Sequence, residues 1–263
     1  MPARMASDAP LQGLRVLVTR PAHQAEAFCS ALERDGARAI RFPVIAIGPS
    51  PDPAAVAALA AGLAGFQLAV FISANAVQQG LPLLCPPDDW PAGTAIAAVG
   101  SRTAAELRAQ GLAVDLVPAS GHDSEALLAL PGLQEVAGWR VLIVRGDGGR
   151  EHLAETLQAR GAQVVYAEVY RRVLPNLDAA PLLRAWRAGG VDLVTVTSAQ
   201  TLRNLWQLLG APGQPLLQST PLLLASEKVR RVALELGCHG PLEVAADATD
   251  AAMLAALRRW RRS

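Results

Sequence analysis

The chain is written twice. A constant shift of 125 positions lays residues 140–172 (RVLIVRGDGGREHLAETLQARGAQVVYAEVYRR) on residues 15–47 (RVLVTRPAHQAEAFCSALERDGARAIRFPVIAI) without a gap, so that Val141 falls on Val16, Arg145 on Arg20, Leu157 on Leu32 and Gly161 on Gly36. Each copy reads as a strand, a turn, a helix and a second strand, because the apolar residues pass from a run to helical spacing and back. The shift persists downstream, where residues 66–84 overlay residues 191–209 with Ser73 on Ser198, and slips of one and then two residues carry Gly111 onto Gly237 and Asp123 onto Asp250. A unit this long is a whole domain rather than a short solenoid repeat.

Two domains suit 263 residues, and 51% hydrophobic residues with only 4% aromatic ones suit helices packed on sheets. The net charge of +1 supplies no field to draw nucleic acid or an anionic membrane. Cys29, Cys85 and Cys238 are odd in number and lack a CxxC pair, which argues against a disulfide framework or a zinc site and for a reducing compartment. No segment has the apolar core of a signal peptide or a membrane span, so a soluble cytoplasmic protein is expected, with residues 1–10 a disordered leader.

Strands alternating with helices imply a parallel sheet with right-handed crossovers. In the first half strands are expected at 15–18, 68–72, 95–99 and 114–117, with helices over 23–34, 54–64 and 124–130; the second half repeats the plan with strands at 193–196, 222–225 and 243–245 and a last helix to Trp260. Residues 37–47 and their twin 163–174 stay extended longer than an ordinary strand, which marks them as connectors that leave one domain for the other. The expected fold is α/β: two flavodoxin-like parallel-sheet domains joined by a two-stranded connector, with an interdomain cleft. Domain one takes 13–41 and 175–263, domain two 48–166, and the connector strands 42–47 and 167–174.

In open parallel sheets ligands sit beyond the carboxyl ends of the strands. The turns there are polar: Thr19 and Arg20; Ser73 and Asn75; Ser101, Arg102 and Thr103; Arg145 to Gly149; Thr197 and Ser198; Ser226 and Lys228. Each opens a helix, whose free N–H groups and dipole favour an anion. Ser73, Ser198 and Asp123 also read as plain helix caps, although capping does not require Arg20, Arg102, Arg145 and Lys228 as well. Gly146, Gly148 and Gly149 fail as a dinucleotide fingerprint because Glu151 stands where its last glycine belongs; they let the backbone approach a ligand carboxylate instead. Four scattered histidines and no GxSxG elbow leave metal or triad hydrolysis unsupported. Tyr170 stands out because its twin is Ile45, so the shared fold does not need it; Arg171 and Arg172 face Ala46 and Ile47. Packing of an amphipathic tyrosine on a strand is the competing account.

Taken together the segments VTRP, FISANAV, AVGSRTA, RGDGGRE with VYRR, TVTSAQTL and ATDAAMLAAL, in this order and spacing, make the chain from Leu14 on resemble the uroporphyrinogen-III synthases. The resemblance implies a lyase of porphyrin and heme biosynthesis that closes hydroxymethylbilane with inversion of its terminal pyrrole, through loss of water and a spiro intermediate. It implies no metal or organic cofactor, and a monomer. It implies substrate carboxylates held by backbone N–H groups and hydroxyls, with Ser73, Thr103, Ser198 and the glycine turn as contacts, and Tyr170 as the acid that helps the hydroxyl leave; a phenol, titrating near 10 in water, carries its proton at neutral pH. One departure is Val229, which faces Thr103 across the repeat where relatives carry a second threonine; Lys228 is then the expected replacement contact. The alternatives are a non-catalytic two-lobed module that binds or senses a small anion, and a nucleotide-dependent enzyme.

Overall fold

A computed structural model of the chain describes residues 9–121, 123–149 and 151–262. Most of the expected leader, His122, and the expected helix start at Arg150 lie outside the described residues. The chain divides into two units, one holding residues up to Ala46 and from Val173 on, the other Ile47–Arg172.

Unit 1 has a five-stranded sheet in the order β10-β9-β8-β1-β2, from β1 (Arg15–Val18), β2 (Arg38–Arg41), β8 (Leu193–Val196), β9 (Leu222–Leu224) and β10 (Leu242–Val244). All four pairings are parallel. Numbered within the unit this is the order 2-1-3-4-5 of the flavodoxin-like wrap. Each face of the sheet is covered by helices. Leu17, Val194 and Val196 pack with α7 (Ala180–Arg187), α8 (Ala199–Ser219) and α9 (Glu227–Glu235), while Val16, Val18 and Leu193 pack with α1 (Ala22–Arg34) and α10 (Asp250–Arg262). Burial on both sides is why these strands read as continuous apolar runs.

Unit 2 has the order β3-β7-β6-β4-β5, from β3 (Ala46–Pro49), β4 (Leu68–Phe71), β5 (Ala95–Ala98), β6 (Arg140–Gly146) and β7 (Gln163–Val173). Through the internal repeat β6, β7, β4 and β5 correspond to β1, β2, β8 and β9, and their parallel neighbours are the same. The fifth position, where a strand was expected at 114–117, is only a parallel bridge from Ala97 to Leu116. Asp115 accounts for the shortfall: its carboxylate takes the Ile96 N–H at 2.7 Å, a ladder donor that a full strand would use. Helices α2 (Pro53–Ala61), α3 (Ala74–Leu84) and α4 (Ser101–Ala109) cover one face; α5 (Ser124–Leu128) and α6 (His152–Ala159) cover the other.

The expected unbroken strand over 37–47 is in fact two, β2 and β3, with residues 42–45 between them outside any strand. Pro43 has no N–H to give to a ladder, and the chain there is held by single bonds from Phe42 N to Val18 O (2.9 Å) and Val44 N to Thr19 O (3.2 Å). Its twin β7 lacks the proline and runs for 11 residues. The chain passes between units at β3 and at the end of β7, which are neighbours in the second sheet. Helix α8 was not foreseen at its length; Gly210, at φ 57° and ψ −174°, breaks it into two pieces ahead of Pro212.

One polar tie closes unit 1 across 177 positions. Asp192 accepts the Arg15 backbone N–H and Nε, both at 2.8 Å, and Nη2 at 2.5 Å. These bonds from Arg15 hold the Asp192 carboxyl below its usual range. A depressed carboxylate stabilises the fold above its unfolded pKa of about 4 and loses that contribution as pH falls through the folded value. An Asp192→Asn protein will therefore melt a few degrees below the wild type at pH 7, and the gap in Tm will narrow as both are acidified below the unfolded pKa of about 4; calorimetry across this range checks it.

Candidate functional site

The carboxyl ends of the two sheets are built alike. Ser73 follows β4 and caps α3, its Oγ accepting the Ala76 N–H at 3.1 Å. Its counterpart Ser198 follows β8 and caps α8 with the Thr201 N–H at 3.1 Å, and shares a hydrogen bond with the Thr201 hydroxyl at 2.8 Å. Asp123 caps α5 through Ala126 N at 2.9 Å. Among the other helices, α4 after Gly100, α6 after Glu151 and α9 after Ser226 start with no side-chain cap, as do α1 after Pro21 and α7 after Ala179. Their first-turn N–H groups are the orphan donors that favour an anion. Ser101, Arg102 and Lys228 are exposed beside them, and Asn75, Thr197 and Ser226 are half-buried. Arg102 and Lys228 have no ion pair among the described residues.

Arg20 and Arg145 are more enclosed than side chains that reach out to a ligand, although Arg145 still lines the unit 2 pocket described below. Both are buried, at 7% and 3% exposure. A guanidinium out of water needs a carboxylate and full hydrogen bonding. Arg20 has Asp250 and the Ala248 carbonyl and lies 4.6 Å over the Phe28 ring, with its buried Nε left without a hydrogen-bond partner among the described residues. Arg145 has Glu151 at 3.1 Å, Glu168 at 3.9 Å and the Gly146 carbonyl at 3.1 Å, and lies 4.4 Å over the Tyr166 ring. At the repeated position each unit thus buries an arginine against an aromatic ring and ties it to a carboxylate at a helix start. Thr103 is buried on the sheet-facing side of α4 with Ala104 and Leu107, matching its buried counterpart Val229. A substrate contact by its hydroxyl has no support in this packing.

In unit 2 the rim encloses a pocket of about 600 Å³ between the glycine turn, Asp123 and Ser124 of the α5 start, Tyr166, Tyr170 and Arg172. Arg171 and Arg172 are exposed, and neither has a partner among the described residues.

Tyr170 lies deeper than a tyrosine at a strand end would suggest, at 2% exposure. The cause is a register shift. Arg145 pairs with Glu168 but Gly146 pairs with Tyr170, so Val169 is the extra residue of a bulge. Side chains alternate along β7, with Val165 and Ala167 on the α3 side and Val164 and Tyr166 on the α6 side. An even-numbered Tyr170 would follow Tyr166; the bulge turns it to the α3 side with Val169. There its hydroxyl lies 3.3 Å from Ser73 Oγ, and its carbonyl accepts the Asp147 N–H at 2.8 Å. The position equivalent to Tyr170 in unit 1 is Ile45, so Ser198 has no such neighbour.

The three turn glycines have separate reasons. A Cβ on Gly146 would stand 2.6 Å from Tyr170 Cε2 and 2.7 Å from Cζ, so this residue makes room for the ring as well as lining the pocket. Gly148 (φ +63°) and Gly149 (φ +138°) supply backbone conformations that side chains resist. Residues that sequence reasoning left out are Glu151, Tyr166 and Glu168. Tyr166 donates its hydroxyl to Glu151 in a very short hydrogen bond. Burial, then that bond, pushes the Tyr166 phenol up to about 12, and the bonds from Tyr166 and Arg145 lower Glu151. The signal was present: Glu151 is the residue that spoils the glycine fingerprint.

Fold and rims define a class: an α/β protein of two units on one repeated parallel-sheet plan, whose carboxyl-end turns present uncapped helix N-termini, hydroxyls and a buried phenol. The family model for uroporphyrinogen-III synthase HemD matches residues 26–255. The uroporphyrinogen-III synthase of Escherichia coli (strain K12) is 36% identical over 247 residues, 93% of this chain and 100% of that protein. That of Synechococcus elongatus is 34% identical over 208 residues, 78% of each. Among solved structures, a mutant uroporphyrinogen III synthase from Thermus thermophilus superposes with a TM-score of 0.55 at 22% identity, over 95% of this chain and 100% of that one. The uroporphyrinogen-III synthetase of Helicobacter pylori gives 0.57 at 13%, over 94% and 99%; at these identities the two show a shared fold. The chain belongs to the uroporphyrinogen-III synthase family.

Gly146→Ala will destabilise the protein by about 1–3 kcal/mol, the usual cost of forcing extra volume into a packed site, and will displace Tyr170. Gly148→Ala meets open space and will cost about 1–2 kcal/mol from its left-handed backbone alone. Urea unfolding of both, with a crystal structure of the first, separates the two causes.

Proposed function

We infer that this chain is a lyase that closes linear hydroxymethylbilane to uroporphyrinogen III, inverting the terminal pyrrole, in tetrapyrrole and heme biosynthesis. The observation that carries the reading is the extent of the family match, which runs through both units and spans the whole length of its Escherichia coli relative. No observation favours the non-catalytic alternative.

Free bilane closes by itself to the unturned type I isomer. The enzyme's task is to hold the terminal ring so that the rearranging closure wins, an effect of orientation. Departure of the hydroxyl as water requires a proton and leaves an azafulvene. The terminal pyrrole attacks it through the carbon that already carries its bridge; the spiro intermediate then fragments and recloses, and the proton lost at aromatisation restores the donor.

Tyr170 is our assignment for that donor. Its support is the pocket it lines, the half-buried Ser73 hydroxyl 3.3 Å away, and its absence from the twin position. For the carboxylate arms we assign the N–H groups of Gly148 and Gly149 and the α6 start, Ser73 and Asn75, and Ser101 at the uncapped α4 in unit 2. In unit 1 we assign Thr197, Ser198, Ser226 and the unpaired Lys228 at the uncapped α9. Arg172, exposed on the pocket wall, joins them.

No helix among the described residues is long and apolar enough to cross a membrane. We read the enzyme as a cytoplasmic monomer, which the three free cysteines fit; light scattering checks the assembly.

Purified protein given fresh hydroxymethylbilane will form the type III isomer, resolved from type I by chromatography; type I alone would contradict the assignment. Tyr170→Phe will lower kcat by about 10²-fold, the scale of one general acid, whereas full activity would assign the phenol to packing. Lys228→Ala will weaken product affinity, and unchanged affinity would remove that contact.

A further inference from the structure

We propose that Glu151 is a positioning residue for Tyr170, acting through the bulge between β6 and β7. This rests on the reading of Tyr170 as the proton donor.

The bulge decides which face of the sheet Tyr170 occupies, and an extra residue in a ladder is held only by what surrounds it. The ladder loses its regular pairing just past Arg145. At that point the side chains take over. Glu151 Oε1 accepts from Arg145 Nη1 at 3.1 Å, and Oε2 accepts the Tyr166 hydroxyl. Arg145 in turn donates Nε to the Gly146 carbonyl at 3.1 Å and stacks on Tyr166.

One carboxylate therefore joins both strands: Arg145 from β6, one residue before the Gly146 that receives the Tyr170 ring, and Tyr166 from β7, upstream of Tyr170 on the same strand. It also closes residues 145–151 into a loop, which fixes the Asp147 N–H that bonds the Tyr170 carbonyl at 2.8 Å. Without Glu151, Arg145 retains only Glu168 at 3.9 Å as an ionic partner. A buried guanidinium so poorly paired has reason to move toward water, and doing so breaks its bond to the Gly146 carbonyl and removes a support of the bulge. Glu151 itself lies outside the set of residues that line the pocket, while Arg145, Tyr166 and Tyr170 line it, so its effect reaches the chemistry through the residues it holds, with Tyr170 moved by way of the bulge.

A double-mutant cycle tests this. Wild type, Glu151→Ala, Tyr170→Phe and the double variant are compared for kcat and KM of type III formation. Glu151→Ala is expected to lower kcat about tenfold with KM within about twofold, and to cause no further loss in the Tyr170→Phe background. Glu151→Gln, whose amide oxygen still accepts the Tyr166 hydroxyl but whose other end no longer pairs with Arg145, should recover part of the kcat; it also runs the same cycle if the alanine variant does not fold. Equal fractional losses from Glu151→Ala in both backgrounds, or a change carried by KM, would overturn the positioning role while leaving Tyr170→Phe impaired. A fully active Tyr170→Phe would instead remove the donor reading, and the positioning role with it.

Discussion

A guanidinium that leaves water must bring a carboxylate with it, and each unit of this protein is arranged around one such pair. The arginine closes the first strand of the repeat, Arg20 in one unit and Arg145 in the other, and both are almost wholly enclosed. Their partners come from different elements: Asp250 begins α10, whereas Glu151 precedes α6. The rings beneath them differ too, Phe28 from a helix and Tyr166 from a strand. What the duplication preserved is the physical requirement, a planar cation neutralised at the carboxyl edge of a parallel sheet.

From that requirement the two units diverge. In unit 1 the chain beyond Arg20 turns at Pro21 into α1 without a bulge, and the position opposite carries Ile45. In unit 2 the pair has been drawn into the glycine turn, and the strand opposite carries an extra residue that swings Tyr170 onto Ser73. The same serine therefore does two things: it caps α3, as Ser198 caps α8, and it meets a phenol that its twin never sees. A reaction whose outcome depends on how one pyrrole ring is held needs a rigid reference point. In our proposal a buried tyrosine, pinned by a missing Cβ, a backbone hydrogen bond and a carboxylate clamp, supplies one.

Much of the fold was legible because parallel strands buried on both faces leave apolar runs and the repeat marks their correspondence. The strand order of unit 1 and the capping roles of Ser73, Ser198 and Asp123 follow from local chemistry. Three things were not legible. The gap between β2 and β3 depends on one proline within an extended run, and a proline alone does not say whether a strand bends or stops. The fifth strand of unit 2 shrank to a bridge because Asp115 takes a ladder donor. The bulge at Val169 was hidden because alternation is lost where Val169 and Tyr170 are both apolar. That concealment hides the structural duties that Arg145 and Gly146 carry while lining the pocket; their partners, Glu151 and Tyr170, lie across a turn and across a strand pair, distances that composition and spacing do not report. The burial of Thr103 was not legible for a simpler reason, since the third residue of a helix can point to the rim or to the sheet with the same sequence around it.

We propose that ligand is held at the Tyr170 edge of the second sheet. Amide spectra of ¹⁵N-labelled protein titrated with the oxidised product, uroporphyrin III, test it most directly. The account predicts that the Asn75, Ala76, Gly148 and Gly149 amides shift together and saturate at one equivalent, with the Asp147 amide reporting Tyr170. Shifts confined to residues away from these turns, with this set unmoved at saturation, would contradict it.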